Sequence, residues 1–420
     1  MIKKTIKKIL FSGFSYIFVS SIINKVISFL SNSIIIHLLS KTEYGAYTYA
    51  YNIISFGLII AGLGIPSALL QILCEKHKER GEILKIYKYG SSVAILFNFL
   101  LGIVFGMVAL HIPLTMNMAA PYLLLLSFIP FFDTCINLQL TYMRSLLMTR
   151  QYAIATNINT ILLAAFTILG AYCGQVKGII LGRYFAYIIS IVLLQWMFKL
   201  PFFVSFIKIE REQKKDIFKI ALISMANNGL SEFLYLIDIF VMGLTIASEA
   251  MIASYKVATI IPSALMFIPS TVMIYAYPYF AQNKDNKIWL KKRYKELLLG
   301  LGGLNLFISI SFIALARIII VIFFGETYND SVWIFRVLML NYFVASTFRI
   351  ISGNLLVTQR KLKFNFYVAL FSGIINIIGN FMLIPRFGSW GAVTTTVSVV
   401  IITSILSTYK LCHIIYKEGI

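Results

Sequence analysis

Nine charged side chains that the polar breaks do not account for lie within or near the ends of stretches that are otherwise Ile, Leu, Phe, Val and Ala. Six are basic, Lys25, Arg183, Lys256, Arg317, Arg336 and Arg349, and three are acidic, Asp133, Glu232 and Asp238. A charge in an apolar segment costs roughly a few kcal/mol on insertion scales, so it usually faces a wet interior or a partner. The chemistry open to such a set is electrostatic. Ammonium and guanidinium groups pair strongly with phosphate or diphosphate, and a carboxylate takes up H⁺ or Na⁺. With bases outnumbering acids, an anionic ligand is the more economical reading. Arg317 and Arg336 lie near segment ends, where a long side chain reaches back to headgroups. Lys25 and Arg349 lie well inside theirs, with Lys256 and Arg183 between these cases.

Spacing separates a lone charge from a charge on a polar face. Ser21, Lys25, Ser28 and Asn32 follow i, i+4, i+7, i+11 and share one side of a helix. Asp133, Asn137, Thr141 and Arg144 repeat the pattern, as do Asn228, Ser231, Glu232, Tyr235 and Asp238. Two shorter stripes are Lys256, Thr259, Ser263 and Ser372, Asn376, Asn380. Polar faces on apolar helices imply a water-filled cavity, in which Asn, Ser and Tyr suit hydroxyl-rich groups such as sugars. The bland reading is that Ser, Thr and Asn join helices inside a bilayer. That use explains neither Lys25 nor Arg349.

The elements carrying these residues follow from composition. At 59% hydrophobic and 13% charged over 420 residues, with mean hydropathy +0.86, the chain lies far from a soluble globular domain. A crossing helix needs about 20 apolar residues. Twelve such segments are predicted, at 11–39, 46–72, 89–112, 119–147, 152–173, 177–198, 217–245, 251–280, 295–324, 331–358, 364–385 and 389–416. The fold class is therefore an all-α integral membrane protein, with about twelve helices in two six-helix lobes around a central cavity. The lobes are 1–198 and 217–420, joined by a linker at 199–216 (KLPFFVSFIKIEREQKKD). In NFMLIPRFGSW, Pro385 and the glycines are expected to close a tight turn between the last two segments.

Formal net charge is +21, which could suggest nucleic acid, so the position of the charges decides. With the amino terminus in the cytoplasm, the internal breaks hold 28 of the 37 Lys and Arg residues, and the external ones only Lys41, Lys177 and Arg386. That asymmetry places both termini inside and makes a nucleic-acid partner unnecessary. MIKKTIKKIL reads as the start of an uncleaved first span. The four cysteines form no CxxC pair, so neither a metal site nor a disulfide framework is indicated. No cofactor is expected beyond a coupling ion, H⁺ or Na⁺, for which Asp238, Glu232 and Asp133 are the candidates. No break exceeds about 20 residues, which leaves no room for a soluble catalytic domain.

The halves are weakly alike. LSKTEYGAYTYA leads into the second span and IASEAMIASYKVA into the eighth; AYCGQVKGIILG joins the fifth and sixth, and RFGSWGAVTTT the last two. Duplication of this kind is common in transporters.

LSKTEYGAYTYAYNIISFGLIIAGLGIPSALLQ, FFGETYNDSVWIFRVL and NFMLIPRFGSWGAVTTTVSVVI resemble the bacterial polysaccharide transporter family. That family contains the Wzx-type flippases for O-antigen and capsule repeat units and lies within the multidrug/oligosaccharidyl-lipid/polysaccharide exporter superfamily. Asp238, then SEAMIASYKVA, then YAYPYFAQ with Pro278 is similar to the family's Asp, Gly-Tyr and Pro pattern, with Ala253 where a Gly is common. The resemblance implies a flippase that moves an undecaprenyl-diphosphate-linked oligosaccharide from the cytoplasmic to the outer leaflet of the bacterial inner membrane by alternating access. It implies a cationic cavity, to which Lys25, Lys256, Arg349 and Arg183 are assigned by location. Ser21, Ser28, Asn32, Asn137, Asn228 and Asn376 would be its polar lining. The partners implied are the lipid-linked oligosaccharide, membrane lipid, and a polysaccharide polymerase with its chain-length regulator.

Two rival classes have distinct signatures. A cation-coupled multidrug antiporter of the same superfamily should carry an acidic cavity, whereas acids are outnumbered here. A membrane polymerase or acyltransferase would be an enzyme and would need a large external loop, or a buried His with an acid; His37 and His111 lie near span ends without an acidic neighbour in sequence.

Overall fold

A computed structural model describes residues 13–74, 80–111, 114–201 and 207–416. Among them every regular element is helical. In chain order these are α1 (Gly13–Leu38), α2 (Lys41–Ile60), α3 (Ile65–Leu73), α4 (Arg80–His111), α5 (Ala119–Leu126), α6 (Ile129–Ser145), α7 (Thr149–Phe198) and α8 (Arg211–Thr245). There follow α9 (Glu249–Leu265), α10 (Phe267–Gln282), α11 (Lys287–Ala314), α12 (Ala316–Phe324), α13 (Ser331–Val344), α14 (Ile350–Thr358), α15 (Leu362–Phe387) and α16 (Ser389–Tyr416).

Among the described residues, ten helical segments are long and apolar enough to cross a membrane. Several are broken midway, and the sequence shows why. In IIAGLGIP the backbone turns left-handed at Gly62, Leu63 and Gly64, and Pro66 starts the helix again as α3. The tenth span passes through a π-helical turn at Ala345–Arg349 between α13 and α14.

The 50 residues of α7 are two spans. The backbone leaves helical values at Gly174 and Gln175. A side chain on Gly170 or Gly178 would strike the other's carbonyl, and one on Gly182 would strike that of Phe166. Residues eight apart on a straight helix are about 12 Å apart, so the chain doubles back into a hairpin. With α8 carrying the apolar stretch Tyr235–Thr245, all twelve expected spans have helical counterparts. The last turn differs in detail from expectation. Pro385 lies inside α15, which continues to Phe387. Gly388, at φ 61°, makes the turn. A proline in a final helical turn forfeits a single hydrogen bond, whereas this left-handed turn favours glycine.

Lipid tails are as apolar as Leu, so no hydrophobic force drives these helices together; close contact and hydrogen bonds do. Gly391 brings α16 against the Leu383 and Ile384 backbone of α15, as Gly170, Gly178 and Gly182 do in the α7 hairpin. Large apolar side chains such as Leu110, Tyr172, Trp196 and Phe307 remain outward and exposed, as a lipid-facing surface requires.

The chain divides into two compact units, Met1–Leu236 and Ile237–Ile420, so the division falls inside α8. In the N-terminal unit, Ile217 and Ala221 of α8 pack with Ile65, Leu69 and Tyr87, and Gln213 donates to Glu82 at 2.9 Å. In the C-terminal unit, Met273, Phe280, Leu355 and Ile414 form the corresponding core. Each unit has a serine N-cap with a glutamate in the following turn: Ser40 with Glu43 in a reciprocal capping box, and Ser248 with Glu249.

Candidate functional site

Asp238 lies in the part of α8 that belongs to the C-terminal unit and is 7% exposed. One carboxylate oxygen accepts from the Tyr255 hydroxyl at 2.6 Å and the Thr396 hydroxyl at 2.9 Å. The other accepts from Asn380 Nδ2 at 2.7 Å. That same nitrogen donates to Asn376 Oδ1 at 3.1 Å. Three helices supply these groups, α9 (Tyr255), α15 (Asn376, Asn380) and α16 (Thr396), and every hydrogen-bond donor to the carboxylate is neutral. Asn380 Oδ1 is buried beside it without a donor.

A buried carboxylate survives away from water only where hydrogen bonds replace its hydration. Each such bond to a charged group contributes about 1.5 to 3 kcal/mol. The donor set is all oxygen once the carboxylate, an amide carbonyl and a hydroxyl are counted, which suits a hard cation such as Na⁺. Among the described residues no three His, Cys, Asp or Glu side chains gather to hold a metal ion.

The N-terminal unit holds a second cluster, with the opposite charge at its centre. Arg183, in the second arm of α7, donates to the Tyr51 hydroxyl at 3.1 Å and to the Tyr47 hydroxyl at 3.2 Å, both from α2. Its guanidinium stacks on the Tyr51 ring at 4.8 Å, while its Nε is buried without an acceptor. One helical turn along, the Tyr187 hydroxyl donates to Asp133 Oδ1 at 3.3 Å. Asn137 donates to Asp133 Oδ2 at 2.7 Å.

The other candidates are placed as follows. Lys25, Ser21 and Ser28 are exposed on α1 and Asn32 is half-buried; Ser21 donates locally to the Ile17 carbonyl. The packed polar seam of α1 is the neighbouring stripe. Ser20 bonds Asn157 at 2.6 Å, Thr156 at 3.0 Å and the Ala153 carbonyl, and Asn24 donates to Ser20. Glu232 is exposed on α8, Lys256 is half-buried on α9, and Arg349 is exposed at the end of the π-turn. The side chain of Asn228 lies outside the described residues. Arg336 donates to the Ile313 carbonyl at 3.3 Å and stacks on Trp333, and Arg317 is exposed, in keeping with residues near span ends.

Sequence reasoning brought Asp238, Asn376 and Asn380 onto polar stripes without joining them. It did not single out Tyr47, Tyr51, Tyr187, Tyr255 or Thr396. A signal was present: Tyr47 and Tyr255 each stand seven residues after the serine that caps their helix.

No curated protein sequence matches this chain. Many solved structures share its fold, three of them as follows. Lipid II flippase MurJ, in an inward closed conformation, matches with TM-score 0.74 at 13% identity, over 93% of this chain and 86% of that one. A multidrug resistance MATE family transporter of the MOP superfamily, in an inward-facing conformation, matches with TM-score 0.71 at 12% identity, over 94% and 96%. A MOP superfamily transporter from Pyrococcus furiosus gives 0.59 at 12% identity, over 96% of each chain. The fold is thus that of the MurJ and MATE transporters, and the protein is a multi-pass membrane protein. The family model described as polysaccharide biosynthesis protein matches residues 34–333, and the chain belongs to that family.

Proposed function

We propose that this protein is a flippase, not an enzyme, which carries undecaprenyl-diphosphate-linked oligosaccharide from the cytoplasmic to the outer leaflet of the bacterial inner membrane. The product would be O-antigen, capsule or exopolysaccharide. The observation that carries the reading is a transporter fold in a chain of the polysaccharide biosynthesis family. That combination favours moving a polysaccharide precursor over making one.

The cationic side chains assigned to the diphosphate are Lys25, Lys256 and Arg349. Lys25 and Arg349 are exposed rather than packed away, which supports a role toward a ligand or headgroup. Asp238 is the coupling residue; Glu232 and Asp133 are the other carboxylates within the apolar spans. Its neutral donors leave a negative charge that a proton or Na⁺ would balance, and the unpartnered Asn380 carbonyl favours Na⁺. Occupancy of that cluster would bias which side of the transporter is open. A multi-drug antiporter remains the alternative of a different class, since MATE transporters share the fold.

The test is surface polysaccharide in a strain lacking the gene, complemented with Lys25→Ala, Lys256→Ala and Arg349→Ala at matched membrane abundance. Charge-assisted bonds of about 1.5 to 3 kcal/mol each predict roughly ten- to hundred-fold weaker substrate capture per variant. Full export in all three would overturn the cationic assignment. Restored drug resistance without restored polysaccharide would favour the antiporter.

A further inference from the structure

The two polar clusters occupy matching places in the two halves. Tyr47 follows the capping Ser40 by seven residues, and Tyr255 follows the capping Ser248 by seven. Arg183 follows the left-handed turn residue Gln175 by eight, and Thr396 follows the left-handed turn residue Gly388 by eight. In both hairpins a glycine just past the turn, Gly178 or Gly391, presses on the backbone of the preceding arm. So the same two positions meet in each half. In the C-terminal unit Tyr255 and Thr396 meet on a carboxylate, Asp238. In the N-terminal unit Tyr47 meets Arg183 directly, with no carboxylate between them.

The charge balance differs accordingly. Around Asp238 the hydrogen-bond donors are neutral, and the buried Asn380 carbonyl has no donor. Around Arg183 the positive charge is part of the chain, and an acid, Asp133, stands nearby in the same cluster, where it accepts from the Tyr187 hydroxyl. Tyr187 interacts with the guanidinium while its hydroxyl donates to Asp133, so the two charges are linked without a direct ion pair.

We infer that Arg183 is a resident counter-cation: the N-terminal unit has built into its chain, at this repeated position, the cation that the C-terminal unit takes from solution. This rests on the reading of Asp238 as the ion-coupling residue. The N-terminal cluster is then closed in charge and indifferent to the ion gradient, and coupling is confined to one half of a duplicated molecule. Arg183 is a positioning residue that holds Tyr47, Tyr51 and, through Tyr187, Asp133. Diphosphate capture is left to Lys25, Lys256 and Arg349. Shortening Arg183 would convert the N-terminal cluster into a second cation-accepting site centred on Asp133.

The experiment is thermal unfolding of the purified full-length protein in detergent, with choline chloride replaced stepwise by sodium chloride or by millimolar guanidinium chloride. Arg183→Ala should lower the melting temperature, and guanidinium or Na⁺ should recover at least half of the loss. Asp133→Asn on top of Arg183→Ala should also recover stability and abolish the cation response. Arg183→Lys, which keeps the charge, should stay close to wild type. A purely packing role would give loss of stability without rescue by either cation and without compensation by Asp133→Asn, and that result overturns the inference. Should Arg183→Ala fail to accumulate, Asp133→Asn alone decides. It should destabilise, because Arg183 loses its balancing acid, and Arg183→Gln in that background should restore stability; unchanged stability in Asp133→Asn would be contrary. Asp238→Asn should remove the wild-type response to Na⁺. Persistence of that response would overturn the reading of Asp238, while rescue at Arg183 reads separately on the counter-cation.

Discussion

Asp238 and Arg183 are both ionisable, largely withdrawn from water and hydrogen-bonded to at least one tyrosine hydroxyl, yet they make different demands on their surroundings. Arg183 is linked to an acid, Asp133, by way of the neighbouring Tyr187. Asp238 is given only neutral donors, and that arrangement leaves its charge open to an exchangeable partner. Asp238→Asn therefore keeps the volume and removes the charge. It should fold, since an amide carbonyl still accepts from Tyr255 and Thr396, but transport should lose its dependence on the ion gradient. Measured as export in cells with the Na⁺ or proton gradient collapsed separately, wild-type rates and wild-type ion dependence in this variant would refute coupling here. At this scale the sequence was partly legible. Asp238, Asn376 and Asn380 are conspicuous because polar residues at helical spacing are rare in apolar spans. Tyr255 and Thr396 are ordinary residues whose meeting depends on how three helices pack. On α1 the periodicity is equally clear for Ser20 with Asn24 and for Ser21 with Lys25, and only packing reveals that the first pair faces α7.

The hairpin within α7 is the element that sets the N-terminal cluster. Gly170 and Gly178 let its two arms touch backbone to backbone, which brings Arg183 and Tyr187 to a fixed height beside α2 and α6. A side chain at Gly178 meets the Gly170 carbonyl, whereas nothing lies within 4 Å of one added at Gly174. Gly178→Leu should thus separate the arms and cost at least about 1 to 3 kcal/mol by overpacking, read as a lower melting temperature and lost export. Gly174→Ala should be close to neutral. Equal effects of the two would contradict the close-packed hairpin. The sequence signalled this turn through AYCGQVKGIILG, but its resemblance to RFGSWGAVTTT was faint because the shared feature is where a glycine presses on the backbone, which many neighbouring sequences satisfy. In the last hairpin Pro385 and the glycines were legible together as the turn, and packing shows that Gly388 is the residue whose conformation requires it.

For the whole molecule, composition carried most of the fold: twelve apolar segments, each with a helical counterpart. Boundaries between units were less legible. The linker at 199–216 is the longest polar break, yet packing divides the chain at Leu236, because the first turns of α8 bury Ile217 and Ala221 in the N-terminal core. The charge asymmetry predicts that reporter tags near residues 80, 210 and 288 are cytoplasmic and one near 248 or 328 is external. A periplasmic reporter active at 210 would invert the topology and the direction of transport with it. Leaflet transfer of a lipid-linked oligosaccharide is read most directly from the sidedness of that lipid in cells depleted of this protein. Depletion should leave undecaprenyl-diphosphate-linked oligosaccharide synthesised but confined to the cytoplasmic leaflet, shielded from a glycan-modifying enzyme added to spheroplasts, while surface polysaccharide disappears. Unchanged accessibility of the lipid-linked oligosaccharide from outside, or failure to synthesise it at all, would contradict the account.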